Sequence, residues 1–385
     1  MLKVQEFIRG NTDWECLLSS EPYCISITHD TMYGRELVMF KYDQIRSDLS
    51  IPLVQECRGL ILDARTFEVV SFPFVKFFNY GEPLAVDVDW GSAYVTQKLD
   101  GSIIKVVTLD GNFLISTNGM IDAFKCSLPE NYGRPFDTFG QLFIEGLKWY
   151  GIRMEDFDRL FKPGITYMFA LTSPWNQVVV NWNVTKAWFI GQRDNKTFKE
   201  TFFGDSDLAN VFDTPKVYPI TNIDECVEAA KVLPDSEEGY VVVDKDFNRI
   251  KVKSPRYVQL HYMAGNQIWS PTRVMDIIRD NEVSEYVAYF PKFKVAFDAI
   301  KAKYDAYLAH LKEVAGEIDD FVMFKNPSKK DLAIWVMGDP ELKAVSGFAF
   351  MYYDSVYGEG KKEVRSAEDF VAQMRTAQLV DALGL

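Results

Sequence analysis

The sequence predicts an α+β fold in two parts: an antiparallel-sheet domain over residues 1–254, then an all-helical domain over residues 255–385. Three observations predict it. From residue 23 to residue 254, short β-branched and aromatic runs are broken by turn residues. Helical periodicity enters that region only around residues 138–160 and 222–232, so strands and helices do not alternate as in a parallel α/β chain. After Ser254-Pro255 the texture changes to long stretches rich in Ala, Lys, Asp and aromatics.

Taken in order, Arg35–Phe40, Gly59–Asp63, Ile103–Leu109 and Gln177–Val180 read as strands. Asp110-Gly111-Asn112, between Leu109 and Phe113, is a hairpin signal, because these residues tolerate the positive φ of tight hairpin turns. Ser284 to Val314 reads as a long helical stretch interrupted early by Pro291, and Ser366 to Leu383 as a further helical stretch without proline. No repeat of solenoid length and no low-complexity tract is present.

Composition excludes several classes. With 48% hydrophobic and 15% aromatic residues among 385, the chain has material for a large core and is not disordered in the main. It has no apolar run of the ~18–20 residues a spanning helix needs and no apolar core at its start, so no membrane partner and a cytoplasmic location are expected. Five scattered cysteines without a Cys-x-x-Cys pair indicate reduced thiols, not a disulfide framework or a zinc site. His29, His261 and His310 are too few for a multi-histidine metal site and poor material for a Ser-His-Asp triad. The net charge of −13 argues against bulk electrostatic coating of nucleic acid, so any polyanion must be held locally.

One stretch carries chemistry. In Thr96-Gln97-Lys98-Leu99-Asp100-Gly101-Ser102, a lysine leaves a strand just before a turn. An amine is nucleophilic only when neutral, and desolvation or a neighbouring cation supplies the free base. Gly101 would let the backbone approach a phosphate closely. Alone the pattern fits an ordinary turn lysine. Further along, Glu238-Gly239 opens a valine-rich run, and Lys251 and Lys253 share one face of a strand with Val252 on the other. Two ammonium groups aimed at one point make a phosphate clamp, and Glu238 could hold magnesium through oxygen. A solvated strand face and a capped turn are the plain alternatives.

Together these residues resemble the covalent nucleotidyltransferase superfamily of ATP-dependent polynucleotide ligases and capping enzymes. Lys98-Leu99-Asp100-Gly101 matches its nucleophile motif, Glu238-Gly239-Tyr240-Val241 its metal-binding glutamate motif, and Lys251-Val252-Lys253 its terminal lysine motif, in the expected order. Glu56-Cys57-Arg58-Gly59 and Lys76-Phe77-Phe78-Asn79 are similar to the N-terminal motifs of the RNA ligase 1 family of T-even bacteriophages, as is the exit through Ser254, Tyr257, Val258, Leu260 and His261. The resemblance covers residues 1 to about 262 and only loosely the remainder. It implies an antiparallel-sheet nucleotidyltransferase (ATP-grasp-like ligase) domain, an ATP site of Arg58, Lys76, Phe78, Asp100, Gly101, Asn118, Glu238, Gly239, Lys251 and Lys253, and Mg²⁺ at Glu238.

Two positions depart from the family pattern. Ala170 stands where a glutamate expected to bind the nucleotide ribose usually follows an aromatic residue, and alanine has no acceptor. An isolated small residue inside an otherwise matching stretch favours a deliberate Glu→Ala substitution over natural divergence in which another acceptor serves. Asn118 stands where a basic residue usually precedes glycine, so it can donate without charge.

The activity implied is ATP-dependent joining of RNA ends. Lys98 attacks the α-phosphorus and becomes lysyl-AMP, with Lys251 and Lys253 stabilising charge on the α-phosphate. AMP then passes to an RNA 5′-phosphate, and a 3′-hydroxyl displaces it. The implied partner is RNA with such ends, cleaved tRNA among them, bound by a monomer in the cytoplasm of a host if the chain is phage-encoded. A DNA ligase or capping enzyme would usually append an OB-fold, which residues 255–385 do not read as. A nucleotide- or RNA-binding protein that has lost catalysis is the alternative from another class.

Overall fold

The computed structural model describes residues 1–128, 135–176, 178–234, 236–263, 271–289, 291–358 and 364–385, with backbone only at 260–263, 289 and 292. The chain divides into two compact units, Met1–Gly265 and Asn266–Leu385. Among the described residues no helix is long and apolar enough to cross a membrane.

The first unit holds three sheets. In the first, β1 (Ile25–Met32), β2 (Arg35–Tyr42), β3 (Arg58–Asp63) and β4 (Val69–Ser71) run antiparallel in sequence order. Helices α1 (Lys3–Gly10), α2 (Trp14–Ser19) and α3 (Pro52–Glu56) accompany it, and Val4, Ile8, Leu18 and Val54 from them pack with Val38, Phe40, Leu60 and Leu62.

The other two sheets are built from interleaved segments. The strands are β5 (Phe78–Asn79), β6 (Tyr94–Lys98), β7 (Ser102–Leu109), β8 (Asn112–Thr117), β9 (Ile165–Thr172), β10 (Lys186–Asp194), β11 (Glu200–Thr201), β12 (Val217–Tyr218), β13 (Gly239–Val243) and β14 (Arg249–Lys253). The second sheet has the order β11-β10-β9-β7-β8 and the third β12-β6-β13-β14-β5. Pairing is antiparallel except between β14 and β5. Each sheet covers one face with helix. On the second, Ile104, Val106, Phe169 and Leu171 pack with Leu142, Phe143 and Leu147 of α4 (Phe139–Lys148) and with Phe157 and Leu160 of α5 (Phe157–Leu160). On the third, Val95, Tyr240, Val242, Ile250 and Val252 pack with Cys226 and Ala230 of α6 (Ile223–Lys231). Helix α7 (Pro255–Met263) follows β14 directly.

The hairpin expected at Asp110-Gly111 forms with both residues at positive φ, 50° and 77°, and β7 and β8 pair on either side. The strand expected at Gln177–Val180 does not form: Gln177 lies outside the described residues, and Val178–Val180 is a bend. Its backbone N–H groups are diverted to a side chain, as described below. In the second unit the helices are α8 (Pro271–Arg279), α9 (Val283–Tyr289), α10 (Lys294–Lys325), α11 (Lys329–Gly338), α12 (Pro340–Ala344), α13 (Ser346–Val356), α14 (Ala367–Gln373) and α15 (Thr376–Ala382). A short 3-10 turn at Pro291–Phe293 separates α9 from α10, where proline removes a helical donor. The stretch from Ser366 to Leu383 is two helices, because Met374 and Arg375 are extended. Arg279 holds that break from α8, donating to the Met374 carbonyl at 3.0 Å.

Candidate active site

Strand alternation builds one wall of the site. In the third sheet Lys98, Gly239 and Lys253 lie in one cross-strand row and Thr96, Val241 and Lys251 in the next. Val243 and Arg249 continue the same face. Directly opposed residues share a face, so Lys98, Lys251, Lys253 and Arg249 all project away from the apolar core behind the sheet. They line a cleft of about 340 Å³. Its other wall comes from the second sheet through Ile103, Ala170 and Ile190, with Arg58, Phe74, Phe77, Gly101 and Asn118 closing it. Five of its lining side chains are cationic and none is a carboxylate, so this acidic chain concentrates positive charge at one place.

Gly239 makes the lysine row possible. Its φ is +147°, and a Cβ there would meet the Val252 carbonyl oxygen and come within 2.6 Å of Lys253 Cα. Directly before it, Glu238 is 4% exposed and lies between the two lysines: Lys98 Nζ is 2.6 Å and Lys253 Nζ 3.7 Å from its Oε1. Lys251 Nζ sits 5.5 Å from the Phe77 ring centre and the Arg58 guanidinium 5.4 Å from the same ring, so one aromatic ring seats two cleft cations. Burial pushes the Arg58 guanidinium below its ordinary value, Arg249 adds to that, and Tyr42 opposes it.

Asp100 is buried beneath the cleft. Its carboxylate accepts from the Val179 N–H at 2.9 Å, the Val180 N–H at 2.6 Å and the Tyr257 hydroxyl at 3.1 Å. The Trp182 indole donates to the Asp100 carbonyl at 2.7 Å. Two residues from Lys98, this side chain ties the 178–180 bend and α7 to the turn between β6 and β7. Within that turn a Cβ on Gly101 would lie 2.5 Å from the Leu171 carbonyl oxygen, so only glycine permits the approach to β9.

Lys98, Lys251, Lys253, Arg58, Gly101, Asn118 and Ala170 are thus brought to one cleft, with Glu238 and Gly239 in contact with its lysines. Lys76 and Phe78 are not among the lining residues: the Lys76 ammonium is 5.5 Å from the rings of both Tyr42 and Phe78, and the aromatic lining comes from Phe74, Phe77, Phe202 and Phe203. Three features escape the sequence. Arg249 continues the alternation of Lys251 and Lys253 and could have been read from it. Arg249 and Arg193 both pair with Glu200, which is 6% exposed; burial works to raise that carboxyl, and the two guanidinium groups outweigh it and hold it low. Lys105, fully buried on β7, is the third.

The donor set defines what metal chemistry fits. Among the described residues no three His, Cys, Asp or Glu side chains cluster to cage an ion. Glu238 offers carboxylate oxygens beside the cleft, which suits an ion held by one carboxylate, phosphate oxygens and water.

A sequence profile of a family described as RNA ligase matches residues 56–257, more than half of the chain. The chain belongs to the RNA ligase family. That match bears out the motif resemblance, and it spans the cleft-lining segments from Arg58 to Lys253. A family relative from Autographa californica nuclear polyhedrosis virus, named for polynucleotide kinase and RNA ligase together, is 32% identical over 276 residues, 67% of this chain. The chain spans only 38% of that protein's length. An RNA ligase of Rhodothermus phage RM378 is 26% identical over 317 residues, covering 66% of this chain and 69% of its own. Among solved structures, an archaeal ATP-dependent RNA ligase aligns with a TM-score of 0.47 at 13% identity, covering 82% of this chain and 83% of its own.

Proposed function

We propose that the chain is an ATP-dependent RNA ligase working through lysyl-AMP, with RNA 5′-phosphate and 3′-hydroxyl ends as its substrates in RNA repair. The carrying observation is the row of Lys98, Gly239 and Lys253 with Glu238 between the two amines, in a cleft lined by five cations. An amine at the end of a strand, next to phosphate-binding charge, is placed for nucleophilic attack on phosphorus. The Lys98 ammonium parts from Glu238 and gives up a proton to solvent, and the free amine forms an N–P bond to the α-phosphorus as the P–O bond to pyrophosphate breaks and pyrophosphate leaves. Lys251 and Lys253 neutralise the α-phosphate oxygens as charge builds, while Arg58 and Arg249 hold the remaining phosphates. In the second step the RNA 5′-phosphate takes AMP from Lys98, restoring the amine, and in the third the 3′-hydroxyl forms the phosphodiester and releases AMP. Glu238 is the residue that would hold a magnesium ion, which when bound neutralises phosphate charge.

Ala170 bears on activity. It lies opposite Ile103 and Trp188 in the second sheet and faces the cleft, where no lining carboxylate replaces the missing acceptor. That observation favours a second reading, a ligase-fold protein that binds nucleotide or RNA and turns over poorly.

The test is intact-protein mass after incubation with ATP and Mg²⁺, with peptide mapping, for the chain as it stands, Ala170→Glu and Lys98→Ala. An AMP adduct on Lys98, absent from Lys98→Ala, is expected, with faster formation in Ala170→Glu. An adduct confined to Ala170→Glu supports the disabled form, and no adduct in either removes the ligase reading.

A further inference from the structure

Strand β7 carries a lysine where its alternation calls for a hydrophobe. Ile103, Lys105, Val107 and Leu109 share one face. Ile103 lines the cleft, whereas Val107 and Leu109 pack with Leu37, Met39 and Ile61 of the first sheet. Lys105 lies between these positions on the strand, with 0% of its surface exposed.

Its ammonium donates to the Gly59 carbonyl at 2.5 Å. Gly59 has φ +83°, and a Cβ there would lie 2.9 Å from Lys105 Nζ and 2.7 Å from Asn118 Cα, so three segments converge on a residue that must lack a side chain. No carboxylate pairs with Lys105 among the described residues. The charge acting on it is another cation, Arg58, the neighbour of Gly59 and part of the cleft lining. Strands β8 and β9 set the uncharged Ser116 and Met168 opposite it, and β2 sets Lys41 opposite Arg58. Arg58 Nη1 and Asn118 Oδ1 are buried without hydrogen-bond partners. Burial first, and Arg58 second, push the Lys105 amine down to about 7.

A fully buried cation beside a half-buried one, with no anion pairing the buried one, is costly, and a cleft that receives an anion against the half-buried guanidinium relieves the other. We propose that Lys105 is a positioning residue for the nucleotide's phosphates: from behind the cleft wall it fixes the Gly59 peptide, and with it the Arg58 guanidinium, and adds positive charge that a polyphosphate feels. This rests on the nucleotide reading above. An anion at Arg58 favours the protonated amine, so above pH 7 binding takes up a proton and polyphosphate affinity falls as pH rises.

The test is calorimetric titration of the full chain with tripolyphosphate and with ATP at pH 6.5 and 8.5, comparing the unmodified protein with Lys105→Met, with thermal melts alongside. Lys105→Met is expected to melt no lower than the parent, to bind both ligands roughly tenfold more weakly at pH 6.5 and to lose the parent's extra pH dependence. If Met at this site does not fold, Lys105→Gln, which keeps a donor for the Gly59 carbonyl without the charge, carries the same expectation. Parental affinity in the variant overturns the role of Lys105 alone. So does a lowered melting temperature with the pH dependence intact, which marks a merely structural lysine. A parent protein that binds neither ligand overturns the nucleotide reading and this inference with it.

Discussion

Replacing Asp100 with alanine tests whether the turn after Lys98 is held by one buried carboxylate. The side chain is 5% exposed and accepts from two backbone N–H groups and the Tyr257 hydroxyl at 2.6–3.1 Å. Alanine takes that acceptor from all three donors, of which the Val180 N–H and the Tyr257 hydroxyl are buried and the Val179 N–H part-buried. A stranded buried donor costs about 1–3 kcal/mol, and bonds to an ionised acceptor lie at the upper end. Because the three share one acceptor their losses do not simply add, so Asp100→Ala is expected to lose about 3–5 kcal/mol. Tyr257→Phe removes one donor and leaves the carboxylate two, for a loss of about 1 kcal/mol. Urea unfolding followed by fluorescence of tryptophans such as Trp182, whose indole donates to the Asp100 carbonyl, reads both. An Asp100→Ala loss under about 1 kcal/mol, or a Tyr257→Phe loss equal to it, would refute the reasoning.

Other expectations follow from the same geometry. Glu200→Gln leaves Arg193 and Arg249 buried without their counter-charge and is expected to cost about 3–5 kcal/mol, read by chemical denaturation; a neutral outcome would mean that the two guanidinium groups find other partners. Lys105 binds its proton at about 7 in the folded chain against 10.5 for an ordinary lysine, so between those values the unfolded chain holds more protons and stability climbs with pH. The slope from this residue is at most about 1.4 kcal/mol per pH unit, and unfolding curves across pH 7–10 should show it in the parent and not in Lys105→Met. Lys251→Ala and Lys253→Ala are each expected to slow AMP transfer to Lys98 while retaining ATP binding; unchanged single-turnover rates in both would remove their role as a clamp.

Legibility followed the range of the interaction. The Asp110-Gly111 hairpin and the shared face of Lys251 and Lys253 are set by neighbours in sequence, and periodicity finds them. Val178–Val180 has the composition of a strand and fails to become one because Asp100, far off in the chain, takes its N–H groups. The break at Met374 and Arg375 escapes for the same reason, since Arg279 on another helix holds it. Lys105 was visible as a charge in an apolar run, but its burial depends on the approach of Gly59, which no local pattern encodes. Glu200 gave no signal: a two-residue strand at a sheet edge has too little alternation to show which way a side chain faces.

The rows across the third sheet also govern how the gene can change in length. Every cleft cation on β14 sits at an odd-numbered position, and the two β14 residues packed against α6, Ile250 and Val252, at even ones. Inserting or deleting one codon within Arg249–Lys253 would exchange the two sets, turning ammonium groups toward Cys226 and Ala230 and valines toward the cleft. Paired insertions would restore the parity and still shift the lysine row away from Gly239. Length variation among relatives should therefore collect in connections such as residues 232–237 and be absent from the five residues of β14.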